Sequence, residues 1–250
     1  MQKTHKLIIG IGVCLAAFFG VYAQEQAVPV VSISYIEGTV QIQKPESEGW
    51  LKADTNSIVG IGEKLRTEDG SRAELGILGA KIRMDQLSAI RIYNPAAEDS
   101  IADSSAMMEF TVGDFWLNVS AAFNGDALAA VIKLKKGLAN LQAAPETTGA
   151  IIRIGVGSDS TLELKVYSGS MIIDLQGIEA ACDSANAGYY LGNDEAQVYL
   201  GQNSSKMILQ APNKLLITSR GKVTYLGPFA PADIDEQTTW VEWNRARDSL

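Results

Sequence analysis

The chain has 250 residues and a formal net charge of −8, with 21 Lys and Arg against 29 Asp and Glu. This acidic balance argues against nucleic-acid binding, because affinity for DNA or RNA rests on neutralising phosphates with Lys and Arg. The chain also holds one histidine, His5, and two cysteines, Cys14 and Cys182, which leaves little material for His- or Cys-based chemistry.

The N-terminal segment has the three parts of a secretory signal peptide. Lys3 and Lys6 form a basic start, residues 7–19 are apolar, and Val-Tyr-Ala at 21–23 suits a leader peptidase. We expect cleavage after Ala23 and a periplasmic or secreted product. The alternative is an uncleaved anchor, since the 17 uncharged positions before residue 24 are at the low end for a membrane span.

Cleavage would leave 227 residues with 19 basic and 29 acidic side chains, no histidine and Cys182 as the one cysteine. A Ser-His-Asp site, a Cys-His site and a zinc site of the usual ligands are then excluded, as is an intramolecular disulfide. We predict no catalytic residues, no metal and no cofactor. Cys182 is expected either to be buried or to bridge two copies.

A charged stretch, "GEKLRTEDGSRAELGI", occupies residues 62–77. The acidic and small residues at 68–71 indicate a turn, and Ala73, Leu75 and Ile77 then alternate with polar residues, which predicts a half-buried strand. A second such strand around Ile82 completes a hairpin. Its charges suit solvated cross-strand pairs; the alternative is a face that binds a partner. The candidate partner-binding residues are Arg66, Arg72, Lys81 and Arg83.

Five further segments share a pattern in which a glycine interrupts apolar alternation. Glycine inside a strand pattern indicates a bulge or a sharp corner. The pattern predicts a mainly β fold: a rolled or sandwich-like antiparallel β domain with Gly corners, spanning 24–228, with a possible joint at 94–106. Trp50 and Trp116 are expected in the core. The repeated glycines are Gly38, Gly113, Gly137, Gly169 and Gly221; of these Gly38 and Gly169, together with Gly70, are assigned structural roles.

One helix is predicted, within residues 229–250. Asp233 is the expected N-cap, with Glu236 three positions later as in a capping box. Trp240, Trp243 and Arg247 fall on one face of such a helix. We therefore expect this face to dock on the sheet, with both tryptophans in structural roles.

The segment 62–92 resembles the FecR-domain family. The resemblance rests on Gly-Glu at 62–63, Leu-Arg-Thr at 65–67, Gly-Ser-Arg-Ala-Glu-Leu at 70–75 and Ile-Arg-Met at 82–84. "GDFWLNV" and the C-terminal "W..WN..RD" are also similar to the family. The flanking Arg and Thr of the family's Arg-Gly-Thr are absent around Gly149.

The resemblance implies a recognition domain in the periplasm that senses a signal and, in the founding members, regulates a cytoplasmic sigma factor. Those members use a cytoplasmic segment and a membrane span. Here six residues precede the apolar stretch, so we expect the recognition domain without the sigma-regulating segment. After cleavage the chain is not expected to be an integral membrane protein.

Three functions stay open at this point. The first is an exported binding module of the cell envelope that recognises a protein or a polysaccharide. The second is a structural or self-assembling envelope protein, or a periplasmic sensor component of sigma-factor signalling. The third is a carboxylate enzyme such as a glycosidase, although none of the acids stands in a recognisable catalytic frame. Ligand and oligomeric state are left open.

The signal peptide generates a direct prediction. Mass spectrometry of the exported protein should find Gln24 at the mature N-terminus. Recovery of the chain with residues 1–23 still attached would show that the segment is an anchor.

Overall fold

The computed structural model describes residues 31–77, 80–92, 106–120, 129–135, 137–143, 149–176, 196–200, 204–230 and 232–249. The predicted signal peptide and Cys182 lie outside these residues, as does nearly all of the predicted joint at 94–106. In the part that is described, the fold is mostly β with a C-terminal α-helix, which confirms the predicted fold class.

Eighteen strands make up the described β structure. They are β1 (Val31–Glu37), β2 (Val40–Gln43), β3 (Trp50–Lys52), β4 (Ile58–Val59), β5 (Lys64–Thr67), β6 (Arg72–Ile77), β7 (Ala80–Met84), β8 (Ala89–Ile92), β9 (Ala106–Ser120), β10 (Ala129–Lys133), β11 (Leu138–Ala143), β12 (Gly149–Val156), β13 (Leu162–Ser168), β14 (Ser170–Gln176), β15 (Ala196–Leu200), β16 (Ser204–Gln210), β17 (Asn213–Ile217) and β18 (Val223–Pro228).

The strand pairings form two sheets that share β9. Sheet A has the order β4–β1–β6–β7–β9–β12–β13–β17–β18. Sheet B has the order β3–β2–β5–β8–β9–β10–β11–β14–β16–β15. Every described pair is antiparallel apart from β9 with β10, which is parallel.

The inner faces of the two sheets share one hydrophobic core. In sheet A, Leu75 and Ile82 face each other across the predicted hairpin and are fully buried. In sheet B, Leu65 and Ile90 pair in the same way, and all four belong to one cluster. Period-two alternation leaves the intervening polar residues on the outer faces, as expected for strands with one buried side.

Strand β9 passes from one sheet to the other. Its first half pairs with β8 and β10 in sheet B, and residues 113–120 pair with β7 and β12 in sheet A. The change of sheet occurs at Gly113, whose φ is +116°. A Cβ at this position would lie 2.1 Å from the Oγ of Ser88 and 2.5 Å from its Cα. Glycine is therefore required both by the backbone and by the close approach of Ser88. The predicted structural glycines Gly38, Gly70 and Gly169 also have positive φ.

The C-terminal segment contains a 3-10 turn, Ile234–Glu236, followed by α1, Thr239–Asp248. The predicted cap at Asp233 with Glu236 is wrong for α1. Thr238 caps the helix, because its side chain accepts a hydrogen bond from the Val241 amide. The Glu236 carboxylate is unavailable for capping since it is turned into sheet A and bound there. Within the described residues, no helix has the length and apolar character needed to span a membrane.

The crossing of β9 generates a stability prediction. Gly113→Ala should lower the free energy of unfolding by at least about 2 kcal/mol, because it combines a disfavoured φ with a clash at Ser88. The matched control is Gly76→Ala in β6, where the added Cβ meets Ser32 at an ordinary 3.6 Å. Urea unfolding checks both, and equal stability of the two variants would contradict this role of Gly113.

Candidate functional site

The structure separates the four basic residues that the sequence groups together. Arg66 lies on β5 and points to the outer face of sheet B, whereas Arg72, Lys81 and Arg83 lie on β6 and β7 of sheet A. The stretch 62–92 contributes strands to both sheets, so its charges lie on opposite sides of the molecule. They do not form one positive strip.

Arg83 is buried rather than solvated, with 1% of its side chain exposed. Its cross-strand partner is Glu74, whose Oε2 lies 2.8 Å from the Arg83 Nε. Arg72 is also largely covered, beside Asp85 and against the ring of Trp243. Lys81, 59% exposed, is the member of this group that faces solvent. The predicted cross-strand pairing is therefore present for Glu74 and Arg83, but the C-terminal helix covers the pair.

The helix binds sheet A through a carboxylate near its end. Asp248 accepts hydrogen bonds from the indole of Trp116 at 2.7 Å and from the amide of Asn118 at 2.8 Å. Its Oδ1 also lies 2.8 Å from the Arg83 Nη1. Trp116 is buried as expected, but under α1 on the outer face of sheet A and outside the main core. One side chain thus connects α1 to β7 and β9.

The predicted docking face of the helix contacts the same surface. The ring of Trp240 is buried, stacks on Trp243 at 5.5 Å and donates its indole N–H to Asp114 on β9. The Arg247 guanidinium lies 4.3 Å from the ring centre of Tyr35 on β1. Aromatic stacking and cation–π contacts therefore add to the ion pairs over sheet A.

The 3-10 turn contributes a fully buried carboxylate, Glu236, to this interface. The Glu236 side chain is fully buried and accepts from the Lys165 Nζ at 2.9 Å, the Tyr167 hydroxyl at 2.6 Å and the Arg245 Nη2 at 3.1 Å. Lys165 is itself fully buried and also binds Asp235. A buried carboxylate is tolerated when several donors satisfy it in this way.

These hydrogen-bond partners shift the pKa values of Asp235, Lys165 and Tyr167. The hydrogen bond from Lys165 holds the pKa of Asp235 below its ordinary value. Burial alone lowers the pKa of Lys165, but its bonds to Asp235 and Glu236 outweigh burial and raise it. Burial, reinforced by the bond to Glu236, raises the pKa of Tyr167. Asp235 and Lys165 therefore stay ionised, and Tyr167 stays protonated, around neutral pH.

The outer face of sheet B has a groove of about 760 Å³, lined by residues of β3, β5, β8, β9 and β10 and of the turns beside them. A cross-strand row crosses this face: Trp50, Gln43, Lys64, Arg91 and Glu109 are successive partners on β3, β2, β5, β8 and β9. All of them except Gln43 line the groove. Residues in such register point to the same face. The groove-lining cations are Lys64, Arg66, Arg91 and Lys133; the lining carboxylates are Glu68, Asp69 and Glu109.

Two cations of this row are direct cross-strand partners, Lys64 on β5 and Arg91 on β8. Like charges placed opposite each other are destabilising. Glu109 compensates part of the charge, since its Oε2 lies 3.9 Å from Arg91 and 3.2 Å from Lys133. Lys64 has no carboxylate within 4.0 Å among the described residues. Lys64 thus places a positive charge at the groove, on a chain whose net charge is −8.

Trp50 belongs to this groove and not to the core, contrary to expectation. Its ring is partly exposed, and the Arg66 guanidinium lies 4.1 Å from the ring centre. A hydrogen bond from the Arg66 Nε to Gln41 at 2.8 Å fixes the guanidinium in place. The short edge strand β3 explains the difference, because its outward side faces solvent once β3 pairs with β2 alone. The sequence gives no sign of this edge position.

Comparison of the chain with protein-family models, with curated proteins and with solved structures finds no match. The FecR resemblance therefore stays a prediction. Among the residues that the structure describes, no group of three or more His, Cys, Asp or Glu side chains is placed to hold a metal ion.

The interface on sheet A generates a prediction about Glu236. Glu236→Ala should lower the free energy of unfolding by about 3–5 kcal/mol, because it leaves the buried Lys165 and Tyr167 without their shared acceptor. Glu242→Ala, at an exposed position of α1, is the matched control and should change stability by less than about 0.5 kcal/mol. Urea unfolding distinguishes them; a Glu236 variant as stable as the control would show that the network does not hold the segment.

Proposed function

We propose that the chain is an exported, non-catalytic binding module of the cell envelope, similar to FecR domains. Its binding surface is the groove on the outer face of sheet B. There it recognises an acidic partner, which is either a protein or a surface polysaccharide. The proposal assigns sheet A, by contrast, to the attachment of the chain's own C-terminal segment.

Lys64 carries this proposal. It is exposed on the outer face of sheet B and has no carboxylate within 4.0 Å among the described residues. A bound carboxylate or other anion beside Lys64 would supply the opposite charge that its described neighbours do not supply. The net charge of the chain is negative, so an acidic ligand is repelled by most of its surface and steered towards Lys64 in the groove.

The remaining groove side chains support binding rather than catalysis. Glu109, the carboxylate of the floor, lies between two cations and is engaged with both. The Arg66 guanidinium lies over the Trp50 ring and is hydrogen-bonded to Gln41. The two side chains can therefore offer a partner both a flat apolar surface and N–H donors. Aromatic and Arg side chains of this kind are enriched where proteins make specific contacts.

The opposed cations make the proposal testable with one substitution. Lys64→Glu should weaken retention of the exported protein on immobilised polyglutamate and on alginate by about tenfold at low salt. The same change should leave stability equal or slightly higher, since it converts a like-charged pair into an opposite pair. Binding is measured by surface plasmon resonance and stability by thermal unfolding.

Lys81→Glu is the matched control, because Lys81 carries the same charge on the exposed outer side of sheet A. It should leave retention unchanged within about twofold. Two results would contradict the proposal: no retention of the unmodified protein on either polyanion, or equal losses in the Lys64 and Lys81 variants.

A further inference from the structure

A second cavity, of about 490 Å³, lies at the end of sheet A where β12 turns into β13. Its lining comes from β9, β12, β13, β17 and β18 and from the turns beside them, and none of the described residues 232–249 contributes to it. The cavity is therefore separate from the surface that the C-terminal segment covers. Its volume falls within the range of small-ligand sites.

Gly155 lines this cavity from the interior of β12, and the fold does not require a glycine there. Its φ lies outside the left-handed region. A Cβ at this position would meet the Glu163 Cβ at an ordinary 3.6 Å. Glycine in a strand interior is less stable than a residue with a side chain, and it often marks a place where a ligand approaches the backbone closely.

A carboxylate oxygen lies over this glycine. Glu163 is the cross-strand partner of Gly155 on β13, and its Oε2 is 3.8 Å from the position that a Cβ of residue 155 would occupy. The other oxygen, Oε1, lies 3.3 Å from the Lys165 Nζ, but that ammonium donates its hydrogen bonds to Asp235 and Glu236. Among the described residues, none donates a hydrogen bond to Oε2.

Two threonines of the cavity add further acceptors. The Thr161 hydroxyl donates to Asp159 at 2.8 Å, and the Thr224 hydroxyl donates to the Leu216 carbonyl at 3.3 Å. Each hydroxyl has thus used its proton and keeps lone pairs for a ligand. Of the side chains that line the cavity, Thr218 is the one with a proton still to donate.

This inventory of acceptors indicates the chemistry of the ligand. An ammonium group carries three donors and no acceptor, so it matches a carboxylate and two hydroxyl oxygens. A sugar would need more donors than the cavity side chains offer, and an anion would be repelled by Glu163. The Leu216 side of the cavity is apolar and suits an alkyl chain, since the stem of a lysine lies along apolar surface in the same way.

We propose that this cavity binds a primary alkylammonium group, carried either by a small free amine or by a lysine side chain of a partner protein. Glu163 pairs with the ammonium, and Gly155 leaves the space that the ligand occupies. The net charge of −8 favours the approach of a cation. The site is independent of the groove on sheet B, so that either can be wrong without the other.

The probes are n-butylamine, Nα-acetyl-lysine N-methylamide, and the uncharged counterparts n-butanol and the Nε-acetylated lysine derivative. Each is titrated into the exported protein at neutral pH and followed by backbone amide NMR. Both amines should move the signals of Gly155 and Gly157 to saturation, at least about tenfold more tightly than their uncharged counterparts. Tighter binding of the lysine derivative than of butylamine would identify a protein side chain as the source of the ammonium.

Two substitutions locate the binding. Glu163→Gln should weaken the amines by at least about tenfold, because it removes the charge that pairs with the ammonium. Gly155→Val should weaken them as much by filling the cavity. Its melting temperature should be equal or higher, since valine favours strands, so that misfolding cannot explain the loss.

Gly76→Val and Glu242→Gln are the matched controls. Gly76 is also a strand glycine of sheet A with ordinary room for a Cβ, 3.6 Å from Ser32, and it lies outside the cavity. Glu242 is an exposed carboxylate of α1. Both variants should keep amine binding within about twofold. The proposal is wrong if neither amine binds, if the uncharged probes bind as tightly, or if Glu163→Gln binds like its control.

Discussion

The arrangement of both outer faces depends on one strand. β9 runs through sheet B, bends at Gly113 and continues through sheet A. Its first half places Glu109 in the groove, and its second half presents Asp114, Trp116 and Asn118 to the C-terminal segment. The hydrogen bonds between Ser88 and Asp114 hold the bend in place. A change in the register of β9 would move the groove and the docking surface together, since successive residues point to opposite faces.

The two outer faces then use charge in opposite ways. On sheet A, the charges are paired and enclosed: Glu236, Lys165 and Arg83 are buried, and each has at least two partners. Such a network is costly to break but is complete, so that it offers little to a further ligand. On sheet B, Lys64 is exposed and has no carboxylate within 4.0 Å among the described residues. This difference supports the assignment of attachment to one face and recognition to the other.

Local features of the sequence predicted much of the fold. Alternation at 72–84 identified the hairpin of β6 and β7, the aromatic spacing identified α1, and interrupting glycines marked corners such as Gly113. The distribution of strands between sheets could not be predicted in the same way, because it depends on long-range pairing. Arg83 illustrates the limit: its burial depends on Asp248, 165 positions away.

The candidate site was predictable only in part. Arg66 was identified as a basic residue on a strand, and it does line the groove. Trp50, Arg91 and Leu87 were not identified as members of the same surface. Trp50 joins it through the pairing of β3 with β2, and Leu87 through a turn geometry that a leucine does not suggest. Charge alone grouped Arg66 with Arg83, which the two-sheet architecture separates.

Nuclear magnetic resonance of the indole groups tests the central claim most directly. The chain has four tryptophans: Trp50 in the groove on sheet B, and Trp116, Trp240 and Trp243 under or within the C-terminal helix on sheet A. Titration with polyglutamate should move the indole N–H signal of Trp50 and leave the other three in place. Movement of the three signals from sheet A, with that of Trp50 unchanged, would contradict the assignment of recognition to sheet B.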